Sequence, residues 1–218
     1  IQRAFSSYIT MKLLPTILTG LLALPLMASA SPAESAETAQ ALKAGQTTPQ
    51  VTLLTPESES FDLGAAVRSQ PTVLIFYRGG WCPYCNRHLA ALQEIEEDLL
   101  ELGFQIIAVS PDQPAGLQPT IEKNDLNYRL LSDRDMKAAS AYGVAFVVPE
   151  DIRIKYEGFG VDLASVPGNQ DAKWLPVPAI FLIDAEGVVR FVHTNPNYKL
   201  RLDPADILEA AEDVAKDA

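Results

Sequence analysis

The chain has 218 residues, of which 48% are hydrophobic and 21% charged, and its formal net charge is −11. That length and balance suit one globular domain with a real core and exclude a non-globular chain. The acidic excess disfavours nucleic acid and anionic membrane surfaces, so neither is expected as a partner.

Residues 1–10 lie upstream of Met11 and are set aside as an upstream extension. From Met11 the sequence runs Met-Lys-Leu-Leu-Pro-Thr-Ile-Leu, continues through an apolar stretch from Leu21 to Met27, and closes on Ala28-Ser29-Ala30. A positive start, a short apolar run and an A-x-A ending are the pattern of a secretory signal peptide over residues 11–30. Pro15, Gly20 and Pro25 interrupt the run, which is short for a membrane span, so an uncleaved anchor is the weaker alternative. The expectation is an exported protein, periplasmic or secreted, with no stable membrane association after cleavage. Such a compartment permits disulfides.

Residues 31–45, rich in Ala, Ser and Glu, form an N-terminal spacer that can be helical from Ala33 to Lys43. The folded domain is expected over residues 46–215. Gln50 to Leu54 reads as a short strand, and Asp62 as the N-cap of a helix from Leu63 to Arg68. Thr72 to Tyr77 holds an unbroken apolar run and reads as a buried strand. Pro83 to Leu102 is helical by period, with Leu89, Leu92, Ile95, Leu99 and Leu102 on one face and Gly103 ending it. Phe104 to Ser110 is a second buried strand, followed by a helix near Leu117 to Asn124. Leu130 to Asp133 is a strand end, and Arg134 to Tyr142 a helix closed by Gly143. Val144 to Val148 reads as a strand, Glu150 to Tyr156 as a helical turn, and Gly158 to Pro176 as irregular. Ala179 to Ile183 and Val188 to His193 form a hairpin around Asp184-Ala185-Glu186-Gly187. Pro204 opens a last amphipathic helix, with Ile207, Leu208, Ala211 and Val214 inward. The pattern is an α/β fold: a mostly parallel central sheet with an antiparallel edge and helices on both faces.

The stretch that carries chemistry is Arg78-Gly79-Gly80-Trp81-Cys82-Pro83-Tyr84-Cys85, at the end of a strand and the start of a helix. A helix N-terminus stabilises thiolates through its partial positive charge and free N–H groups. The two-residue spacing lets Cys82 and Cys85 close a disulfide reversibly. Zinc would need two more ligands, yet there is no other Cys, and His88 and His193 are the only histidines. Iron–sulfur clusters usually take four cysteines. Covalent haem would need His where Asn86 stands. A passive disulfide closing so small a loop does little to constrain the unfolded chain. Thiol redox with no cofactor and no metal is therefore the reading, and C-x-x-C on such a turn is the thioredoxin arrangement.

The stretch from Phe76 to Cys85 also resembles the signature of the peroxiredoxin-like branch of the alkyl hydroperoxide reductase and thiol-specific antioxidant (AhpC/TSA) family. Val109-Ser110-Pro111-Asp112, Leu130-Leu131-Ser132-Asp133 and Ala141-Tyr142-Gly143-Val144 are similar to that family's segments in the same places. The resemblance implies a thioredoxin-like fold, a central mixed β-sheet flanked by helices, with a peroxiredoxin-type insertion. It implies a thiol peroxidase acting on a hydroperoxide substrate, regenerated by a thioredoxin-like or other dithiol reductant. Aligned on the second cysteine, Cys85 takes the peroxidatic place. Cys82 stands where the family has Thr or Ser, Arg78 where it has Pro, and Pro178 where it has Arg. Pro178 in turn resembles the cis-proline that faces the C-x-x-C of thioredoxins. The alternative function is therefore a thiol–disulfide oxidoreductase of exported proteins, with Cys82 attacking and Cys85 resolving. A redox-inert binding domain is a more distant third. Arg78 is expected to stabilise a thiolate or else to face solvent, and Trp81 to cap the thiols or to be a core-edge aromatic. Trp174 is expected in packing rather than at the site mouth. His88, one turn past Cys85, is expected on the surface, with a proton shuttle as the alternative.

Overall fold

The computed structural model describes residues 32–216 together with Ile1. The expected signal segment and its cleavage point lie outside the described residues. In chain order the strands are β1 (Thr52–Leu54), β2 (Ser60–Asp62), β3 (Thr72–Phe76), β4 (Gln105–Ser110), β5 (Arg129–Ser132), β6 (Ala145–Val147), β7 (Ala164–Val166), β8 (Asn169–Pro176), β9 (Ala179–Ile183) and β10 (Val189–Thr194). The helices are α1 (Leu63–Ala66), α2 (Pro83–Gln93), α3 (Glu96–Glu101), α4 (Pro114–Asn124), α5 (Lys137–Ala141), α6 (Glu150–Gly158) and α7 (Pro204–Lys216).

Seven strands form one mixed sheet in the order β10-β9-β3-β4-β5-β1-β2. β3, β4 and β5 run parallel at its centre, and β9 pairs antiparallel with β3. Alternation along β3 builds two cores. Leu74 and Phe76 face one side with Ile107, Val109, Phe181, Leu63 and Tyr142. Val73 and Ile75 face the other with Leu89, Leu92, Leu99, Leu117 and Ile207. All five residues of β3 are buried, which explains why it reads as a continuous apolar run rather than an alternating one. Each fully buried Leu contributes about 1.5–3 kcal/mol relative to exposure. Asp62 caps α1 as expected, its carboxylate accepting from Ala65 N at 2.8 Å.

Four details differ from the sequence reading. The long helix breaks at Ile95 into α2 and α3. The break gives α3 a new N-terminus, with Glu96, Glu97 and Asp98 in its first turn, where negative charge is stabilised. Ala33 to Lys43 is not a helix beyond a 3-10 turn at Ala36–Thr38. Its backbone pairs outward instead: Ala33 N donates to Ala145 O at 2.9 Å and Leu42 N to Tyr142 O at 3.0 Å. Ser60–Asp62 pairs with β1 as an edge strand that the sequence reading left unassigned. Most of the stretch from Gly158 to Pro176 is ordered: β7 and β8 form a hairpin about Gly168, and with β6 they make a separate three-stranded sheet, β6-β8-β7. α6 lies over that sheet, and its Ile152 and Tyr156 pack on a small cluster of Val148, Leu163 and Leu175. Trp81 belongs to the same cluster, so the insertion touches the redox turn directly.

Candidate active site

The site begins where β3 ends. Tyr77 N still bonds Val109 O at 3.0 Å, after which Arg78, Gly79 and Gly80 turn the chain toward α2. Gly79 has φ +139°, where L side chains are strained, and a Cβ on Gly80 would overlap Thr120 Oγ1. Asp112 fixes the turn by accepting from Gly80 N at 2.8 Å and from Ser110 Oγ at 3.0 Å. Asn86 ties it from the helix side, donating to Gly80 O at 2.8 Å. Cys82 is the N-cap of α2 and Pro83 its first residue, as the spacing requires.

The two cysteines come together as expected, each in the thiol form and each 1% exposed. Their environments push them in opposite directions. Cys82 is drawn down to about 6, first by the Cys85 thiol beside it, which shares its proton with the Cys82 sulfur. The Cys85 backbone N–H and the charges of Arg78 and Arg201 act the same way, against the cost of burial. Cys85 is pushed up, chiefly by burial. The neutral dithiol state therefore gives way to a thiolate on Cys82 with a protonated Cys85 behind it.

Arg78 faces inward, only 4% exposed, rather than toward solvent. Its Nη2 donates to the Tyr156 hydroxyl at 2.6 Å. Its Cζ stands 3.9 Å from the Tyr198 ring centroid, 5.0 Å from that of Trp81 and 5.1 Å from that of Tyr156. Three aromatic faces thus hold one cation beside the thiols. Trp81 packs on Tyr156 at 5.2 Å between centroids and covers the turn, as a cap would. A second cation, Arg201, donates from Nη2 to Cys85 Sγ at 3.4 Å. Neither guanidinium forms an ion pair with a carboxylate among the described residues, whereas Arg134, Arg153 and Arg190 each do.

Pro178 immediately precedes β9 and lines two openings beside the site, but its peptide bond is trans. The expected cis-proline is absent, as is any cis bond among the described residues. Pro178 O accepts from Asn195 N at 3.4 Å, and β9 lies inside the sheet between β10 and β3. An apolar cavity of about 490 Å³ runs from Arg78 and Tyr198 to Phe146, Ile152 and Phe159. His88 is buried, not on the surface as expected, because it shares the inward helix face with Cys85 and Leu92. Burial lowers it to about 4, so near pH 7 it is the neutral imidazole with a single ring N–H and no charge. Trp174 is 4% exposed within the core, a packing residue. Sequence reasoning missed Arg201, Tyr156 and Tyr198. They come from the insertion helix and the loop before α7, and no local pattern marks them.

Comparison with known proteins follows the same lines. A family model described as the AhpC/TSA family matches residues 44–192, which include both cysteines, Arg78, Trp81 and Pro178 but not Arg201. Peroxiredoxin Bcp of Escherichia coli is 30% identical over 103 residues, 47% of this chain and 65% of that protein. Chloroplastic peroxiredoxin Q of Populus jackii is 26% identical over 151 residues, 69% of this chain and 60% of that protein. The chain therefore spans less than two thirds of the length of these curated relatives. Among solved structures, peroxidoxin BcpB of Mycobacterium tuberculosis superposes with a TM-score of 0.61 at 21% identity, over 79% of this chain and 98% of that one. A peroxiredoxin-like protein of Aquifex aeolicus gives 0.61 at 19% identity, over 86% of this chain and 99% of that one. At those identities the likeness is one of fold, and the fold is thioredoxin-like.

Proposed function

The chain belongs to the AhpC/TSA family, and from that membership we propose that it is a thiol peroxidase whose Cys82–Cys85 pair reduces hydrogen peroxide or an alkyl hydroperoxide. The Cys82 thiolate attacks the terminal oxygen, the O–O bond breaks, and the alkoxide leaves with a proton from solvent. Cys85 then attacks the Cys82 sulfenic acid; an S–S bond forms, and the hydroxyl leaves with the Cys85 proton as water. A dithiol reductant of the thioredoxin type returns two electrons by attack on Cys82 and release of Cys85.

The observation that carries this reading is the adjacent Cys82 and Cys85 at the start of α2, with the buried Arg78 guanidinium beside them and no carboxylate partner to it among the described residues. A guanidinium so placed supplies donors to a departing oxyanion. The attacking role goes to Cys82 rather than to Cys85, which holds the family's peroxidatic place. Cys82 is the sulfur drawn down at the helix start, and burial opposes charge on Cys85. The decisive assay mixes reduced protein with hydrogen peroxide and an alkyl hydroperoxide and follows peroxide loss; no loss beyond that of free thiol in solution would sink the proposal.

One observation favours the second reading, a thiol–disulfide oxidoreductase of exported proteins: a low-pKa first cysteine at a helix N-terminus suits attack on a disulfide equally well. Under that reading Cys85→Ser traps client proteins on Cys82. The sequence pattern from Met11 to Ala30 supports an exported, periplasmic or secreted location.

A further inference from the structure

We propose that Arg201 is the catalytic residue for the second sulfur, stabilising the Cys85 thiolate when Cys85 attacks the Cys82 sulfenic acid and again when it leaves the disulfide. The inference rests on the redox cycle of the Cys82–Cys85 pair described above, and it gives Arg201 only a lesser part in the peroxide step, through its charge near Cys82.

Geometry comes first. Arg201 Nη2 is 3.4 Å from Cys85 Sγ, while its Nη1 donates to Leu200 O at 3.0 Å. The second bond fixes the plane of the guanidinium with one edge toward the sulfur. The loop that carries Arg201 is itself held. Leu200 N bonds Asn197 O at 3.0 Å, and Tyr198 stacks edge-on against Tyr84 of α2 at 5.8 Å. The guanidinium is thus set against α2 before any reaction begins, so little reorganisation is needed when charge develops.

Charge comes second. The chain is strongly acidic, yet Arg201 has no ion-pair partner among the described residues. Its charge is left for a transient anion. Cys85 becomes that anion twice in each cycle. In resolution it loses its proton as the S–S bond forms and hydroxide leaves Cys82 as water. In reduction the thiolate of the dithiol attacks Cys82, the S–S bond breaks, and its electron pair goes to Cys85 Sγ. Burial disfavours charge on this sulfur, so a donor in contact with it has its largest effect in these two steps.

Division of labour comes third. The Arg78 guanidinium is committed to Tyr156 and to the Tyr198 face and makes no side-chain hydrogen bond to either sulfur among the described residues, whereas Arg201 bonds Cys85 directly. Arg201 lies outside the region matched by the family model. The family's Arg place holds Pro178 here, so this guanidinium reaches the thiols from a different part of the chain.

The test uses Arg201→Met, which keeps the apolar stem, and Arg201→Lys, which keeps the charge. Stopped-flow fluorescence separates the steps, and a dimedone-type probe counts sulfenic acid. The peroxide step of Arg201→Met should slow less than resolution and reduction do, because the contact of Arg201 is with Cys85 while its charge acts on Cys82 only from further off. Sulfenic acid should accumulate on Cys82, and reduction of the disulfide by dithiothreitol should slow roughly tenfold or more. Arg201→Lys should recover part of both rates. A slowed peroxide step with unchanged resolution and reduction would overturn the proposal and assign Arg201 to the attacking sulfur; unchanged rates throughout would overturn it too. If Arg201→Met does not fold, the same rates in Arg201→Lys decide, with reduction slowed severalfold expected and parent-like reduction overturning the idea. Should the parent fail to consume peroxide, the peroxidase reading fails alone. The dithiothreitol rates then still judge Arg201.

Discussion

Arg78 and Tyr156 are joined by a hydrogen bond of 2.6 Å that links the redox turn to the insertion helix α6. The bond gives a buried cation its acceptor, and Tyr156 and Trp81 stack beside it. Tyr156→Phe leaves that donor unmet and should cost about 1–3 kcal/mol of stability, read from urea unfolding. The peroxide rate should change less than in Arg78→Met, which removes the charge itself. In Arg78→Met the thiolate absorbance of Cys82 should titrate above the value of about 6 held in the parent.

The depressed Cys82 thiol also sets a pH profile. The peroxide rate should rise with pH through about 6 and then level off, following the thiolate fraction. Stability has a defined sign. The folded value lies below that of an ordinary thiol, near 9, so the reduced protein gains a contribution from Cys82 that is full above about pH 9 and lost as pH falls toward 6. The disulfide form has no such group. Denaturant midpoints of the two forms should therefore diverge between pH 6 and 9, with the reduced form gaining relative stability as pH rises.

Asp133 is a structural acid next to the insertion. Buried at 3% exposure, it accepts from Ala138 N at 3.0 Å and Ala139 N at 2.8 Å and so caps α5. Asp133→Ala should cost about 1–2 kcal/mol and lower the melting temperature. Peroxide reactivity per folded molecule should stay as in the parent.

Much of this architecture is legible in the sequence where one physical cause dominates. The runs Val73 to Phe76 and Ala179 to Ile183 are apolar throughout because both faces of the sheet are covered. Gly103 and Gly143 mark helix ends through their positive φ of 86° and 73°. The β7–β8 hairpin is hidden because its Asn169-Gln170-Asp171 half is exposed and polar, leaving Pro167-Gly168 as its one turn signal. His88 was open to reading, since it falls one turn from Cys85 on the buried helix face. Arg201 was not, because it meets Cys85 across 116 positions and no periodicity reports such a contact.

The expected export is checked at the N-terminus. Protein recovered from its native compartment should begin at Ser31 by N-terminal sequencing. Soluble cytoplasmic protein that retains residues 11–30 would refute the assignment.

The central claim is that Cys82 attacks peroxide and Cys85 resolves. Reduced Cys82→Ser and Cys85→Ser are each mixed with hydrogen peroxide, and sulfenic acid is captured with a dimedone-type probe. Cys85→Ser keeps a hydroxyl that can donate to the Cys82 thiolate, so it should react rapidly and accumulate sulfenic acid on Cys82. Cys82→Ser should be nearly inert. Rapid sulfenic acid formation on Cys85 in Cys82→Ser, with an inert Cys85→Ser, would contradict the account.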